Sequence, residues 1–348
     1  MRSWPILLVL LSCGGCQTKR LDPEQATGGE LYARMCAVCH GNAGEGYTAD
    51  QAPRLAQPDW LASASDGFLR DVIVDGRAGS TMSAWGNSRG GPLNLPQVNA
   101  LISFMRTWQE GASATLDEAP LRGDAARGEP IFRARCAECH GQHGVGGSSV
   151  RIGNADFLRS ATNGYLRWAI ARGRPGTKMP GFGSNLAAAE IDSVIAALRG
   201  PPPPPPVPVL PPPQLPPLPL GAVPVHPKGP EPIGFNQHPG TTDVDIVKSQ
   251  LDRGAKLAIL DARAPSDYVN EHITGAVSVP FYDPTPYFDK LPKNAWLVCY
   301  CACPHAESGQ LAQKLVAAGF KKVTVLNEGL LVWRNKKYPT TKGQQAGP

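Results

Sequence analysis

The sequence lacks any Lys/Arg-rich stripe with interleaved aromatics. Its 34 Lys and Arg against 29 Asp and Glu leave a net charge of +5, spread over 348 residues. Nucleic acid is therefore not an expected partner. The N-terminal apolar stretch, Trp4 to Leu11, falls short of the roughly 20 residues that a bilayer-spanning helix needs. Methionine is scarce, with five in all. The nine cysteines do not show the spacing of a disulfide framework. Proline and glycine, by contrast, are abundant, at 36 and 38. That is too many for compact domains alone, and it argues for separate modules joined by a spacer. The length allows two or three domains, and 42% hydrophobic residues suits soluble globular units.

Met1-Arg2-Ser3 followed by Trp4 to Leu11 has the charged and apolar regions of a secretion signal. The end of the stretch, Leu10-Leu11-Ser12-Cys13, resembles the lipobox of bacterial lipoproteins. The resemblance implies that Cys13 becomes the lipidated first residue of the mature chain. Cys16, after Gly14-Gly15, is a poorer second candidate, and an ordinary cleaved signal is the alternative. Acylation would anchor an otherwise soluble chain to a membrane surface. Residues 1–19 are read as signal and tether, and the expected location is the periplasmic side of a bacterial membrane.

Four of the cysteines belong to an internal repeat. Gly28 to Gly41 aligns with Gly128 to Gly141, each containing C-x-x-C-H: Cys36, Cys39 and His40, then Cys136, Cys139 and His140. Farther on, the loop Asp75 to Met82 aligns with Arg172 to Met179. Each half closes on an amphipathic helix, with Val98, Leu101, Ile102 and Met105 on one face and Ile191, Val194, Ile195 and Leu198 on the other repeat's. The repeats are expected to be mostly helical, over 20–112 and 120–200, with Asp124 capping the second one's opening helix.

Two cysteines one helical turn apart can form thioethers to the two vinyl groups of one haem, and the adjacent histidine then lies under the iron. A thioredoxin-like motif would follow a strand, and a zinc site would need a second ligand pair that neither repeat contains. Two covalently bound haems c are therefore expected. Met179 is the only methionine of the second repeat, and Met82 occupies the equivalent position in the first. They are the expected sixth ligands, opposite His140 and His40. A thioether opposite histidine raises the haem potential, as suits an electron carrier, and leaves no open iron site. Met35 abuts the cysteines, and Met105 lies on an apolar face where methionine is usually filler. His143 is read as a surface loop residue. Arg77 and Arg174 share a place in the repeat, either bound to haem propionates or solvated.

With these motifs, residues 20–200 resemble two tandem class I cytochrome c domains, a family of small all-α folds that shuttle single electrons. Lys178-Met179-Pro180-Gly181 matches the family's ligand loop, whereas Met82 is followed by Ser83.

Residues 201–236 form a proline-rich linker, beginning with six consecutive prolines. Such a run adopts polyproline II at about 3.1 Å per residue and acts as a semi-rigid spacer. Short apolar strands then alternate with helices: Lys256 to Leu260, Val277 to Val279, Trp296 to Tyr300, Lys322 to Leu326, and a helix from Ser308 to Ala318. The alternation implies a small parallel α/β sheet over 241–340. This module resembles a rhodanese-like domain through Ile259 to Arg263, Glu271 to Val277, the strand ending Val298 to Cys301, and Asn327 to Trp333.

The resemblance implies that Cys301, directly after the central strand, takes sulfur as a persulfide in a loop whose N–H groups cradle an anion. The loop from Cys301 to Ser308 is about one residue longer than the family's, and Glu307 stands near where an arginine is usual. A carboxylate there would repel an anionic donor. Alternatives are a degenerate binding module, a metal site of Cys299, Cys301, Cys303 and His305, or a Cys301–Cys303 dithiol.

The expected function is single-electron transfer by an exported, lipid-tethered dihaem cytochrome, with redox proteins of a respiratory chain as donors and acceptors. Small sulfur compounds are candidate ligands of the C-terminal module. Either Cys301 carries a persulfide whose electrons pass to the haems, or the module only docks.

Overall fold

A computed structural model describes residues 26–49, 52–77, 80–200, 223–302 and 305–346. Cys13, Cys16, Cys303 and the linker from 201 to 222 lie outside the described residues.

The first repeat opens with α1 (Gly28–Leu31), a π-turn over Tyr32–Cys36, and α2 (Ala37–His40). Thr27 and Glu30 form a reciprocal capping box at its start. α3 (Pro58–Ser63), α4 (Asp66–Asp75) and α5 (Leu95–Arg106) follow. The second repeat has the same sequence of elements: α6 (Ala125–Arg135), α7 (Ala137–His140), α8 (Ala155–Ser160), α9 (Asn163–Arg172) and α10 (Ala188–Arg199). The Asp124 carboxylate accepts from Ala126 N–H at 2.8 Å and caps α6.

In each repeat the first helix crosses the last at a glycine. A Cβ on Gly28 would stand 2.0 Å from the Ala100 carbonyl oxygen, and one on Gly128 would stand 1.8 Å from that of Ser193. Only a residue without a side chain permits so close a crossing. The faces predicted from periodicity are buried at Val98, Leu101, Ile102 and Met105 in α5 and at Ile191, Val194 and Ile195 in α10, whereas Leu198, near the end of α10, is only half-buried. Tyr32 packs against Phe104 and Trp108, with ring centroids 5.4 and 5.0 Å away.

The C-terminal module is α/β. Its strands are β1 (Thr241–Thr242), β2 (Leu257–Asp261), β3 (His272–Ile273), β4 (Ala276–Ser278), β5 (Trp296–Tyr300), β6 (Val323–Leu326) and β7 (Thr340–Thr341). Five form one sheet in the order β1-β6-β5-β2-β4, all pairs parallel, and β3 pairs antiparallel with β7. The helices are α11 (Val244–Asp252), α12 (Pro265–Asn270), α13 (Ala306–Ala317) and α14 (Gly329–Asn335). β2 is buried along its whole length, which is why it reads as an uninterrupted apolar run. Part of the predicted linker is docked on this module. Pro230 O accepts from Lys256 N–H at 2.9 Å, and Ile233 and Asn236 N–H donate to the Gln250 and Thr242 side chains.

Among the described residues, no helix is long and apolar enough to cross a membrane.

Candidate haem centres and the Cys301 site

Both C-x-x-C-H motifs sit where the opening helix is locally broken. In the first repeat the π-turn ends at Cys36, and in the second Cys136 has φ −119°, at the junction of α6 and α7. Such breaks inside helices recur at functional sites. The four cysteines are unbridged thiols. Burial pushes the Cys36 thiol up to about 12. Burial, and then the neighbouring Cys139 thiol, push Cys136 up to about 11.

The two histidines are held alike. His40 Nδ1 lies 2.9 Å from Pro53 O, and His140 Nδ1 lies 2.8 Å from Val150 O. A carbonyl can only accept, so Nδ1 carries the proton and the Nε2 lone pair is left for a metal. Burial lowers the His40 pKa against the opposing pull of that carbonyl, which keeps the ring neutral. A ligating imidazole requires this state.

The methionine loops match atom for atom in their backbone contacts. Arg77 N–H donates to Met82 O and Arg174 N–H to Met179 O, both at 3.0 Å. Ser80 Oγ and Thr177 Oγ1 each donate to the arginine carbonyl at 2.7 Å and accept from the methionine N–H at 3.2 Å. Gly76 and Gly173 start the loops with φ +66° and +68°. The sequence difference after the methionine, Ser83 against Pro180, leaves this loop geometry intact. Two cysteines, a histidine whose Nδ1 is held by a carbonyl and a thioether in each repeat are the donor set that covalent haem requires, so the residues fit that group.

His143 is an exposed loop residue with φ 54°, its Nδ1 3.8 Å from a Glu129 carboxylate oxygen. The two loop arginines reach across the interface between the repeats. Arg77 donates to Arg151 O and lies 4.5 Å from the Phe157 ring centroid. Arg174 lies 3.5 Å from the Asp59 carboxylate. Trp60 Nε1 donates to Tyr165 Oη at 3.1 Å, and Phe68 stacks at 4.7 Å on Tyr165. The repeats thus meet through the faces that carry their methionine loops.

In the C-terminal module, Cys301 follows β5 and is fully buried, its Sγ 3.3 Å from Ser308 Oγ in α13. Its carbonyl accepts from Leu330 N–H at 2.9 Å. Glu307, in the first turn of α13, is not a solvated carboxylate facing incoming anions. Only 7% of it is exposed, and burial raises its pKa well above the usual carboxylate range. The nearby Cys301 and Asp267 reinforce the rise against the pull of Arg263. Burial thus favours the neutral acid, in which form the side chain would not repel an anion as expected from the sequence. Arg263 forms a bidentate buried pair with Asp261, at 2.6 and 2.9 Å, and Tyr300 Oη donates to the same carboxylate at 2.6 Å.

His305 is exposed and its Nε2 lies 3.2 Å from Asn327 Oδ1. Cys299 is buried on β5. Among the described residues no cluster of three His, Cys, Asp or Glu side chains could hold a metal ion, and Cys303 lies outside them.

The family model for the cbb3-type cytochrome c oxidase subunit III matches residues 23–105 and 123–196, and the rhodanese-like domain model matches 243–336. The cbb3-type cytochrome c oxidase subunit FixP of Azorhizobium caulinodans is 28% identical over 180 residues, covering 50% of this chain and 58% of that one. Subunit CcoP of Azospirillum brasilense is 27% identical over 186 residues, covering 49% and 59%. The chain thus spans little more than half the length of these relatives. The rhodanese-like domain of an Anabaena protein is 33% identical, covering 29% of this chain and 78% of that one, with a TM-score of 0.28.

Proposed function

We propose that this chain, two cytochrome c domains joined to a rhodanese-like domain, is an exported dihaem electron carrier tethered to a bacterial membrane through Cys13. The observation that carries this reading is the duplicated ligand set. His40 and His140 have their Nδ1 held by a backbone carbonyl in the same way, and Met82 and Met179 lie in loops of the same hydrogen-bonded form. A haem in each site supplies an iron that takes up and releases one electron.

The chain's own residues do the rest. Cys36 and Cys39, and Cys136 and Cys139, would hold the macrocycle through thioethers. The Nδ1 hydrogen bonds fix the histidine rings and raise their basicity. Met82 and Met179 would supply the second protein donor of each site, which would leave no position for oxygen or substrate. Likeness to FixP and CcoP supports a place in a respiratory chain, with redox proteins as donor and acceptor.

The test is the mass of the purified holoprotein together with a potentiometric titration of the wild type, Met82→Ala and Met179→Ala. Two covalent haems and two one-electron waves are expected, with each variant lowering one wave. A single haem, or variants that leave both waves in place, refutes the assignment.

A second reading is supported by the position of Cys301 beside Ser308 at the start of α13. There the Cys301 thiolate would form an S–S bond with hydrosulfide, giving a persulfide anion and releasing one proton and two electrons, which two bound haems would accept one each. Sulfur transfer to cyanide that is unchanged in Cys301→Ser, or absent from the parent protein, would sink it.

A further inference from the structure

The first cytochrome domain and the rhodanese-like domain meet along one edge of the parallel sheet. Every segment of the C-terminal module that takes part follows the carboxyl end of a strand. Ser266 and Asp267 come after β2, Tyr282 and Asp283 after β4, and α13 after β5. Of these, α13 places Ser308 Oγ 3.3 Å from Cys301 Sγ, and Glu307 of the same helix lies near Cys301, Asp267 and Tyr282.

On the other side, each segment flanks a candidate haem ligand. Arg34 precedes Cys36, α2 carries His40, and Ser83 to Trp85 follow Met82. Arg34 Nε donates to Tyr282 O at 2.8 Å, and its guanidinium lies 3.2 Å from the Asp283 carboxylate. Ser83 Oγ donates to the Asp267 carboxylate, and Ser266 Oγ donates to Ala84 O at 2.8 Å. Trp85 packs on Tyr282 with ring centroids 5.7 Å apart, and α13 lies beside α2. Ser83, Trp85, Ser266 and Tyr282 are all buried.

We propose that the carboxyl edge of the sheet is an intramolecular docking surface, that its partner is the haem-binding face of the first cytochrome domain, and that docking closes the site at Cys301. The partner face takes its name from the haem reading. The closure itself requires neither haem chemistry nor sulfur at Cys301.

Three features distinguish this contact from incidental packing. It is composed like a reversible interface, with paired polar groups around one aromatic contact, and interfaces of that kind permit relative domain motion. Its hydrogen bonds fix register more than they add net affinity, because water would satisfy the same groups after release. The proline-rich segment also tethers the two partners, so even a weak contact is populated at the millimolar effective concentration that a tether provides. With Cys301 fully buried in the docked form, a reagent reaches the thiol through undocking.

The experiment uses the full-length holoprotein and measures the rate of Cys301 alkylation by iodoacetamide, resolved by peptide mass spectrometry. Arg34→Glu places like charges at the contact, and so does Asp283→Arg. Each is expected to raise the Cys301 rate roughly tenfold, equivalent to about 1.4 kcal/mol. Combining them restores an opposite-charge pair and is expected to return the rate towards wild type.

Cys299, buried on β5 beneath α13, is the internal control and is expected to keep its wild-type rate. Single variants that label like wild type, a double variant as fast as the singles, or Cys299 rising in step with Cys301 would each overturn the proposal. Covalent haem content and potentials measured on the same samples separate a failure of this inference from a failure of the haem assignment.

Discussion

Adding one methyl group at Gly128 tests the repeated architecture most directly. In an unconstrained helix interior, Gly→Ala stabilises by roughly 0.5–1 kcal/mol through the lost freedom of glycine. At Gly128 the new Cβ would sit 1.8 Å from Ser193 O, 2.3 Å from its carbonyl carbon and 2.8 Å from Val194 N. All three are backbone atoms of α10, so no side chain can rotate away. An ordinary contact of 3.4 Å or more requires α6 and α10 to separate by well over 1 Å, loosening the apolar face that includes Ile191, Val194 and Ile195. Overpacking of this kind costs roughly 1–3 kcal/mol and occasionally more. After the propensity gain is subtracted, a net loss of about 1–2 kcal/mol is expected. Gly309→Ala, in α13 with nothing within 4 Å of the added carbon, is the matched control and is expected to gain about 0.5 kcal/mol. Thermal unfolding followed through the haem absorbance for Gly128→Ala, and by calorimetry for Gly309→Ala, resolves the two modules without assuming one transition. Equal stability of Gly128→Ala and wild type would refute the close crossing.

Asp261→Ala strips the buried Arg263 of its partner and the Tyr300 hydroxyl of its acceptor. A loss of roughly 3–5 kcal/mol from the C-terminal module is expected by calorimetry, and a loss under 1 kcal/mol would contradict the buried pair. The native pKa values of Glu307 and Asp267 are raised by burial above the ordinary 4.5 and 3.8. Their contribution to stability is therefore fully present below those ordinary values and declines as pH rises through the native ones. The groups facing Glu307 are Cys301, Asp267, Arg263 and Asp261. The melting temperature of the C-terminal module should fall as pH rises above the ordinary carboxylate values, and less steeply in Glu307→Gln; parallel profiles would count against the raised Glu307 pKa.

The features legible in the sequence are those written in a local pattern. The C-x-x-C-H segments and methionine loops show as a repeat, the closing helices show a 3.6-residue period, and β2 and β5 are short apolar runs. The strand expected from Lys256 to Leu260 is found at Leu257–Asp261, and the helix expected from Ser308 begins at Ala306. What escaped has no such pattern. β3 and β7 are two residues each, too short to display a period, and are held by the pairs His272–Thr341 and Ile273–Thr340, far apart in the chain. The stretch from 223 to 236 reads as spacer by composition, yet its backbone bonds to the α/β module. Glu307 looks like a solvated carboxylate because charge is visible in a sequence and burial is not. The contacts of Arg34 and Ser83 join single polar residues 248 and 184 positions from their partners, and no window along the chain contains both.

The equivalence of Arg77 and Arg174 leads further than either reading offered by the sequence. Residues at the same place in two copies of a fold face each other when the copies pack through that place. Arg77 enters the second domain against Phe157, and Arg174 reaches Asp59 in the first. Both methionine loops are therefore presented to one interface, which would favour exchange of electrons between haems bound as proposed. The same loop of the first domain, at Ser83, touches the rhodanese-like domain through Asp267. Its first end thus meets the second cytochrome domain and its last end meets the C-terminal module. A chain joined in the order haem, haem, spacer, α/β module is in this way folded so that the first domain contacts both of the others. If haems are bound as proposed and the second reading of Cys301 holds, an electron released there would reach the site of His40 and Met82 first and that of His140 and Met179 second. With the sites so ordered, lowering the first potential through Met82→Ala would slow that passage, and lowering the second through Met179→Ala would retain the electron on the first haem.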